Sequence, residues 1–315
     1  MVRKTKKWIS RLVDSRGAIR RDLVLALTHA DAIPGSFLPG RDEPSVHSEL
    51  QRDSYNNLGD VLNVVGQLLL PGNRVSASRG TLACRPPRVT QEQHSSRWFY
   101  INGMWTAPPM ALLNASELAR VFQRPVTLIH TPTRGLVRDL GDFFTARTLR
   151  KDGKLSRPAF YVVAEALRHH ERVVLVCHSQ GTIVASYIVR KLLRNAETRP
   201  LVKKLELYCI GGISDSLEVD HELSQEAGHP VPYVEHFANG RDYFAQIGVL
   251  SHLDTTSGTV FCIPERAGHL FNQHYLAGIA RGDYCNRTSR LYRYVRGREP
   301  RDSDFLPGHE NDYTD

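Results

Sequence analysis

From residue 97 onward the chain alternates two patterns. Short unbroken apolar runs read as buried strands, and longer stretches with apolar positions three and four apart read as amphipathic helices. Strands are predicted over 98–101, 126–130, 173–177, 205–210, 231–237 and 259–263. Helices are predicted over 111–122, 159–170, from Gly181 to about 195, from Asp242 to about 250, and from 271 to about 280. Strands alternating with helices imply an α/β fold, a mainly parallel sheet with helices on both faces. A long loop over 133–156 interrupts the alternation, and its Thr133, Arg134, Phe143 and Phe144 are expected to roof a pocket.

The flanks read differently. Helical patterns near 19–29 and 58–70 are separated by a stretch rich in Pro, Gly, Asp and Ser. A second irregular stretch over 71–96 contains Pro86-Pro87, and after Asp283 the chain turns polar and ends acidic. The expected organisation is an irregular basic extension over 1–96, a regular domain over 97–283 and a peripheral polar tail over 284–315.

Composition adds a bound and an asymmetry. At 315 residues with 41% hydrophobic and 23% charged positions, the chain can bury a sizeable core. Residues 1–24 carry eight Lys and Arg against Asp14 and Asp22, so most of the net charge of +8 lies there. Trp8, Ile9, Leu12 and Val13 recur at helical spacing within it. A basic amphipathic helix of that kind can lie on an anionic membrane surface. A solvated tail, or a helix docked on the domain, is the plainer reading. No apolar stretch of signal-peptide length follows the basic residues, so the expectation is a cytoplasmic protein, at most peripheral to a membrane. Five scattered cysteines, three of them (Cys177, Cys209, Cys262) in predicted core strands, form no Cys-x-x-Cys pair. No zinc or redox role is expected of them. No glycine loop of the nucleotide-binding kind follows any strand, no cofactor is implied, and the basic segment lacks the interleaved aromatics of a nucleic-acid binder.

Chemistry concentrates at one reversal. Val173-Val174-Leu175-Val176-Cys177 is followed by His178-Ser179-Gln180-Gly181, and a helical pattern starts at once. A serine on a tight strand-to-helix turn projects its hydroxyl, and small neighbours let strand and helix approach. A serine merely capping a helix is the bland alternative. Activation of the hydroxyl needs a base and a group that orients the base. Functional groups in parallel sheets collect past the carboxyl ends of the strands. Past strand 231–237 lies Asp242, which could also simply cap the helix it opens; past strand 259–263 lies His269. Asp215 is the alternative acid and His274 the alternative histidine. His178 is expected to pack against the helix that follows it.

The ordered set Ser179, Asp242, His269, with Cys177-His178-Ser179-Gln180-Gly181 and Gly268-His269, resembles the α/β-hydrolase superfamily in its lipase- and esterase-like part, over roughly 97–282. The first glycine of the family's Gly-x-Ser-x-Gly is Cys177 here. The resemblance implies antiparallel strands ahead of residue 97, for which 71–95 is the available stretch. It implies a serine hydrolase acting on a carboxylic ester, of a small molecule or a lipid, with backbone N–H donors at Gln180 and, after the first core strand, at Gly103-Met104. Thioester or amide cleavage would use the same groups, and a non-catalytic binding module could keep the same fold.

Overall fold

The computed structural model describes residues 24–25, 27–37, 47–49, 51–55, 59, 81–84, 96–104, 106–131, 156–214, 217, 231–284 and 288–300. Residues 1–23, the loop 132–155 and Asp215 therefore lie outside the described residues, and with them the basic helix, the expected roof and the alternative acid.

One seven-stranded sheet organises the fold. Its strands are β1 (Thr81–Cys84), β2 (Ser96–Ile101), β3 (Val126–Ile129), β4 (Arg172–His178), β5 (Leu205–Ile210), β6 (Tyr233–Arg241) and β7 (Thr259–Ala267), in the order β1-β3-β2-β4-β5-β6-β7. β2 to β7 are parallel to their neighbours, and β1 pairs antiparallel with β3, Thr81 opposite Ile129. The expected α/β class is what forms, with one antiparallel strand in the stretch 71–95. The helices are α1 (Ile33–Phe37), α2 (Pro108–Phe122), α3 (Ser156–His169), α4 (Gly181–Arg194), α5 (Tyr243–Ile247), α6 (Ala277–Arg281) and α7 (Arg290–Arg293). A π-helical turn, Phe271–Leu276, runs directly into α6.

Alternation along the strands builds two cores. Trp98, Tyr100, Val174 and Val176 face α2, α6 and α7, whereas Phe99, Ile101, Val173, Leu175 and Cys177 face α3 and α4. Strands covered on both faces must be apolar throughout, which is why β4 reads as an unbroken apolar run. Each fully buried aliphatic side chain there contributes about 2 kcal/mol, so the turn at Ser179 starts from a tightly packed strand.

Five expectations need correction. The segment 239–241 is strand, not turn: β6 continues to Arg241, with a register shift between Asn239 and Arg241. Gly240 makes this possible, because a Cβ there would sit 2.3 Å from the Pro264 carbonyl oxygen of β7. β7 likewise extends to Ala267, so its Pro264 lies in an edge strand, where a missing N–H is tolerated. Cys262 is exposed, unlike buried Cys177 and Cys209, because it lies on that edge.

The last two corrections concern the flanks. Residues 288–300 are not peripheral: Leu291, Tyr294 and Val295 join the core against Trp98 and Phe122. Their polar neighbours are paired at the amino ends of the strands, which is why the segment reads as surface. Nor is the segment before 97 wholly an extension, since β1 belongs to the sheet and Ser36, His47 and Glu49 bond to the chain at Tyr243, His269 and Asn272–Gln273, as detailed below.

Candidate active site

The carboxyl ends of β2, β4, β5, β6 and β7 converge on one place. After β4 the ladder continues one residue further, the Ser179 N–H donating to the Ile210 carbonyl at 3.0 Å. Ser179 then adopts φ +52°, the left-handed region that a side chain enters only at a cost. That turn releases the chain into α4 within two residues. Gly181 permits the approach, because a Cβ there would lie 2.6 Å from the Ile101 carbonyl oxygen of β2. Thr182 locks the turn from inside α4, its Oγ1 donating to the Ser179 carbonyl at 2.7 Å.

Asp242 caps α5, its Oδ1 accepting the Phe244 N–H at 3.0 Å. The capping and functional readings of this residue are both realised, because the second oxygen is free for other partners. Asp242 Oδ2 accepts from His269 Nδ1 at 2.7 Å and from the Tyr275 hydroxyl at 2.6 Å. Asp242 is fully buried. Burial holds the Tyr275 phenol well above its ordinary pKa, so it stays a donor to the carboxylate. With three donors on two oxygens, the carboxylate is tied in place and the Nδ1–H tautomer of His269 is favoured.

The His269 ring packs against two others, with Phe244 centred 4.3 Å away and His178 4.7 Å away. His178 is therefore packed on the histidine loop, a contact the sequence pattern did not anticipate. Its Nε2 donates to the His269 carbonyl at 2.8 Å. Burial, then the charge that His269 would carry, push the His178 pKa well below its ordinary value, so it is a neutral ring with Nε2–H. The loop itself depends on Gly268 at φ +101°, where a Cβ would meet the His274 ring at 2.3 Å. His274, the rival histidine, accepts the Leu270 N–H at 3.0 Å and shapes the start of the π-helical turn.

Gly103 lies against the serine, since a Cβ built on it would stand 2.7 Å from Ser179 Cβ and 3.3 Å from Ser179 Oγ. Buried Asn102 holds this loop to the end of β3: its Nδ2 donates to the Gly103 and Thr131 carbonyls, and its Oδ1 accepts the Thr131 N–H at 2.8 Å. Met104 turns its side chain into an apolar cluster with Ile213, Tyr243, Phe244 and Ile247. Gln180 occupies the position before α4.

Asp242 and His269 are thus joined, Gly103 lies against Ser179, and the ring of His178, the residue before Ser179, packs on His269. Among the described residues Ser179 Oγ makes no hydrogen bond to His269, a contact that often tightens only with substrate bound. Residue patterns alone did not single out Tyr275, Phe244, Asn102 or Asn239, whose Nδ2 donates to the Gly268 carbonyl at 2.9 Å. Their roles come from contacts between distant elements. Among the described residues no group of His, Cys, Asp and Glu could hold a metal ion, and no helix is long and apolar enough to cross a membrane.

No family model and no curated protein matches the chain. Solved structures similar to it include EstE1, a thermostable carboxylesterase cloned from a metagenomic library (9% identity, 74% of this chain and 93% of that chain, TM-score 0.41). Esterase B from Lactobacillus rhamnosis HN001 shows 13% identity over 90% of this chain and 96% of that chain, with a TM-score of 0.38. A bacterial heroin esterase shows 16% identity over 76% and 90%, with a TM-score of 0.39. Likenesses at this level carry no chemistry across, so the functional reading rests on the residues of this chain.

Proposed function

We propose that the chain is a serine hydrolase of the α/β-hydrolase kind that cleaves a carboxylic ester through an acyl-enzyme. The observation that carries this reading is the buried Asp242–His269 pair at 2.7 Å, whose imidazole packs on His178, the neighbour of Ser179 in the turn that strains it to φ +52°. A capping serine needs neither the strain nor the pair.

In this reading His269 Nε2 takes the Ser179 proton as Oγ attacks the ester carbonyl. Asp242 holds the ring and stabilises the imidazolium, without itself taking the proton. The oxyanion is met by the backbone N–H of Gln180, at the start of α4, and by that of Met104. Gly103 lets that second donor approach. Collapse of the tetrahedral intermediate breaks the C–O bond, and His269 returns the proton to the leaving alcohol. Water, deprotonated by the same nitrogen, then releases the acid and restores Ser179. Met104, Ile213 and Phe244 put apolar surface next to this chemistry, which suits an acyl group with hydrocarbon character.

The unmade Ser179–His269 hydrogen bond favours a second reading, a hydrolase fold kept for binding only. A fluorophosphonate probe separates the two. The wild type should be labelled, and Ser179→Ala should not be; an unlabelled, folded wild type would sink the enzyme reading. A p-nitrophenyl ester series of increasing chain length then defines the acyl preference. Attachment to an anionic membrane through residues 1–24 is a separate proposal, supported only by the charge and spacing of that segment.

A further inference from the structure

We infer that Ser36, His47 and Glu49, which the sequence pattern sets apart from the catalytic domain, act as a strap that positions both the acid and the base, with Glu49 as its main positioning residue. This inference rests on the hydrolase reading for its kinetic consequence, and on hydrogen bonds between distant parts of the chain for its geometry.

Three contacts carry it. The first is on the base itself, whose N–H donates to the Ser36 carbonyl at 2.7 Å. The second is beside the acid, where the N–H of Tyr243, the residue after Asp242, donates to Ser36 Oγ at 3.2 Å. Ser36 is fully buried and thus ties the loops of Asp242 and His269 to each other through one residue. The third contact lies just past the base. Glu49 accepts the N–H of Asn272 at 2.7 Å on Oε1 and that of Gln273 at 3.0 Å on Oε2. Asn272 Nδ2 also donates to the His47 carbonyl at 2.9 Å.

The Glu49 contact matters because of what it ends. Asn272 and Gln273 open the π-helical turn, and the first N–H groups of any helix lack partners within it. A carboxylate placed there satisfies two of them and complements the helix dipole. The turn starts two residues after His269, and it also carries Tyr275, the hydroxyl partner of Asp242. Fixing its first turn therefore fixes the approach of His269 and of Tyr275 to the same carboxylate. Burial pushes the Glu49 carboxyl up to about 6, while the N–H groups of Asn272 and Gln273 pull it down, so it is ionised at pH 8. The Tyr55 hydroxyl holds the Glu49 carbonyl at 2.9 Å, which anchors the strap locally.

An ordinary stabilising contact would lower the folded fraction and leave each folded molecule fully active. A positioning contact lowers kcat with little change in KM, because misplacement of a reacting group by a fraction of an ångström slows the chemistry. The test compares Glu49→Gln, Glu49→Ala and Glu49→Asp in the full chain at pH 8, well below their melting temperatures. Glu49→Gln keeps the shape but loses one of the two acceptors. Its kcat for a p-nitrophenyl ester should fall about tenfold with KM within about twofold. Glu49→Ala should fall further, and Glu49→Asp should recover part of the loss. The second readout is independent of turnover: the downfield proton resonance of His269 Nδ1–H, assigned by its loss in His269→Ala. It should shift and broaden in Glu49→Gln. Unchanged kcat and an unchanged resonance in folded Glu49→Gln overturn the inference. A wild type that hydrolyses no ester overturns the hydrolase reading alone, because the resonance still reports on the strap. Should Glu49→Ala not fold, the isosteric Gln variant decides.

Discussion

Both ends of the sheet bury carboxylates, and they use them differently. At the carboxyl ends, Asp242 receives an imidazole, a phenol and a backbone N–H, and the imidazole is the one partner with a second ring nitrogen that can accept a proton. At the amino ends, Glu235 receives the hydroxyls of Tyr233 and Ser289 and the N–H groups of Arg290 and Leu291. Glu206 beside it is shared by Arg172, Arg290, Tyr208 and Tyr294. Fully buried Arg124 completes that end, bound to Glu299 at 2.6 Å and stacked over Trp98 and Tyr294. Every partner at the amino end is a fixed donor, so that cluster can only hold residues 288–300 onto the core. A buried carboxylate becomes a candidate for chemistry through its partner, not through its burial.

The largest expected effect tests the carboxyl end. Asp242→Asn keeps the size of the side chain but offers an amide where His269 needs a charged acceptor. The Nδ1–H tautomer loses its anchor, and kcat should fall about 10³- to 10⁴-fold. Urea unfolding should show a far smaller change, because the cap on Phe244 can survive through the amide oxygen. A large loss of stability with a small loss of kcat would erase the contrast between the two ends.

The next effect tests the amino end. Burial pushes the Glu235 carboxyl up to about 7 from an ordinary 4.5, outweighing its four donors. A folded-state pKa above the unfolded one means that its stabilising contribution is complete below about pH 4.5 and is lost as pH rises through about 7. On that account the wild type gives up about 3 kcal/mol between pH 4 and pH 8 through this group. Glu235→Gln, which cannot ionise, should unfold with a shallower pH dependence over that interval, measured by urea titration at both pH values. Its kcat per folded molecule should stay at the wild-type level. An activity loss approaching that of Asp242→Asn would show the two ends to be coupled.

The contrast also explains what could be read in advance. Ser179, Asp242 and His269 were legible because each lies within two residues of the end of a strand, and strands announce themselves by apolar runs. Gly103 was legible for the same reason. The amino-end cluster was not: Arg290, Arg298 and Glu299 look like surface residues until Glu206, Glu235 and Arg124 are known to meet them. Strap residues Ser36 and Glu49 were hidden by a different mechanism, since all four of their key bonds come from backbone N–H groups whose direction no side-chain pattern encodes. The bounds of β6 failed because Asn239-Gly240 mimics a turn, while its real role is the close passage past Pro264.

The smallest effect isolates the strain at the serine. Ser179 pays for φ +52° with backbone energy, of which a side chain at that angle costs about 1 kcal/mol. Ser179→Ala removes the hydroxyl and keeps the strain, whereas Ser179→Gly removes both. Both variants should be inert toward ester and probe, so activity cannot tell them apart. Stability can: Ser179→Gly should exceed Ser179→Ala by up to about 1 kcal/mol, reduced by the greater freedom of glycine in the unfolded chain. Gln123, also left-handed at φ 51°, is the control, because it ends α2 in the ordinary way and lies far from the serine in the fold, beside Arg124. Gln123→Gly should gain a similar amount with no loss of kcat. Equal stability of Ser179→Ala and Ser179→Gly would mean that the turn after β4 carries no strain of its own, leaving the Asp242–His269 pair as the sole geometric sign of catalysis.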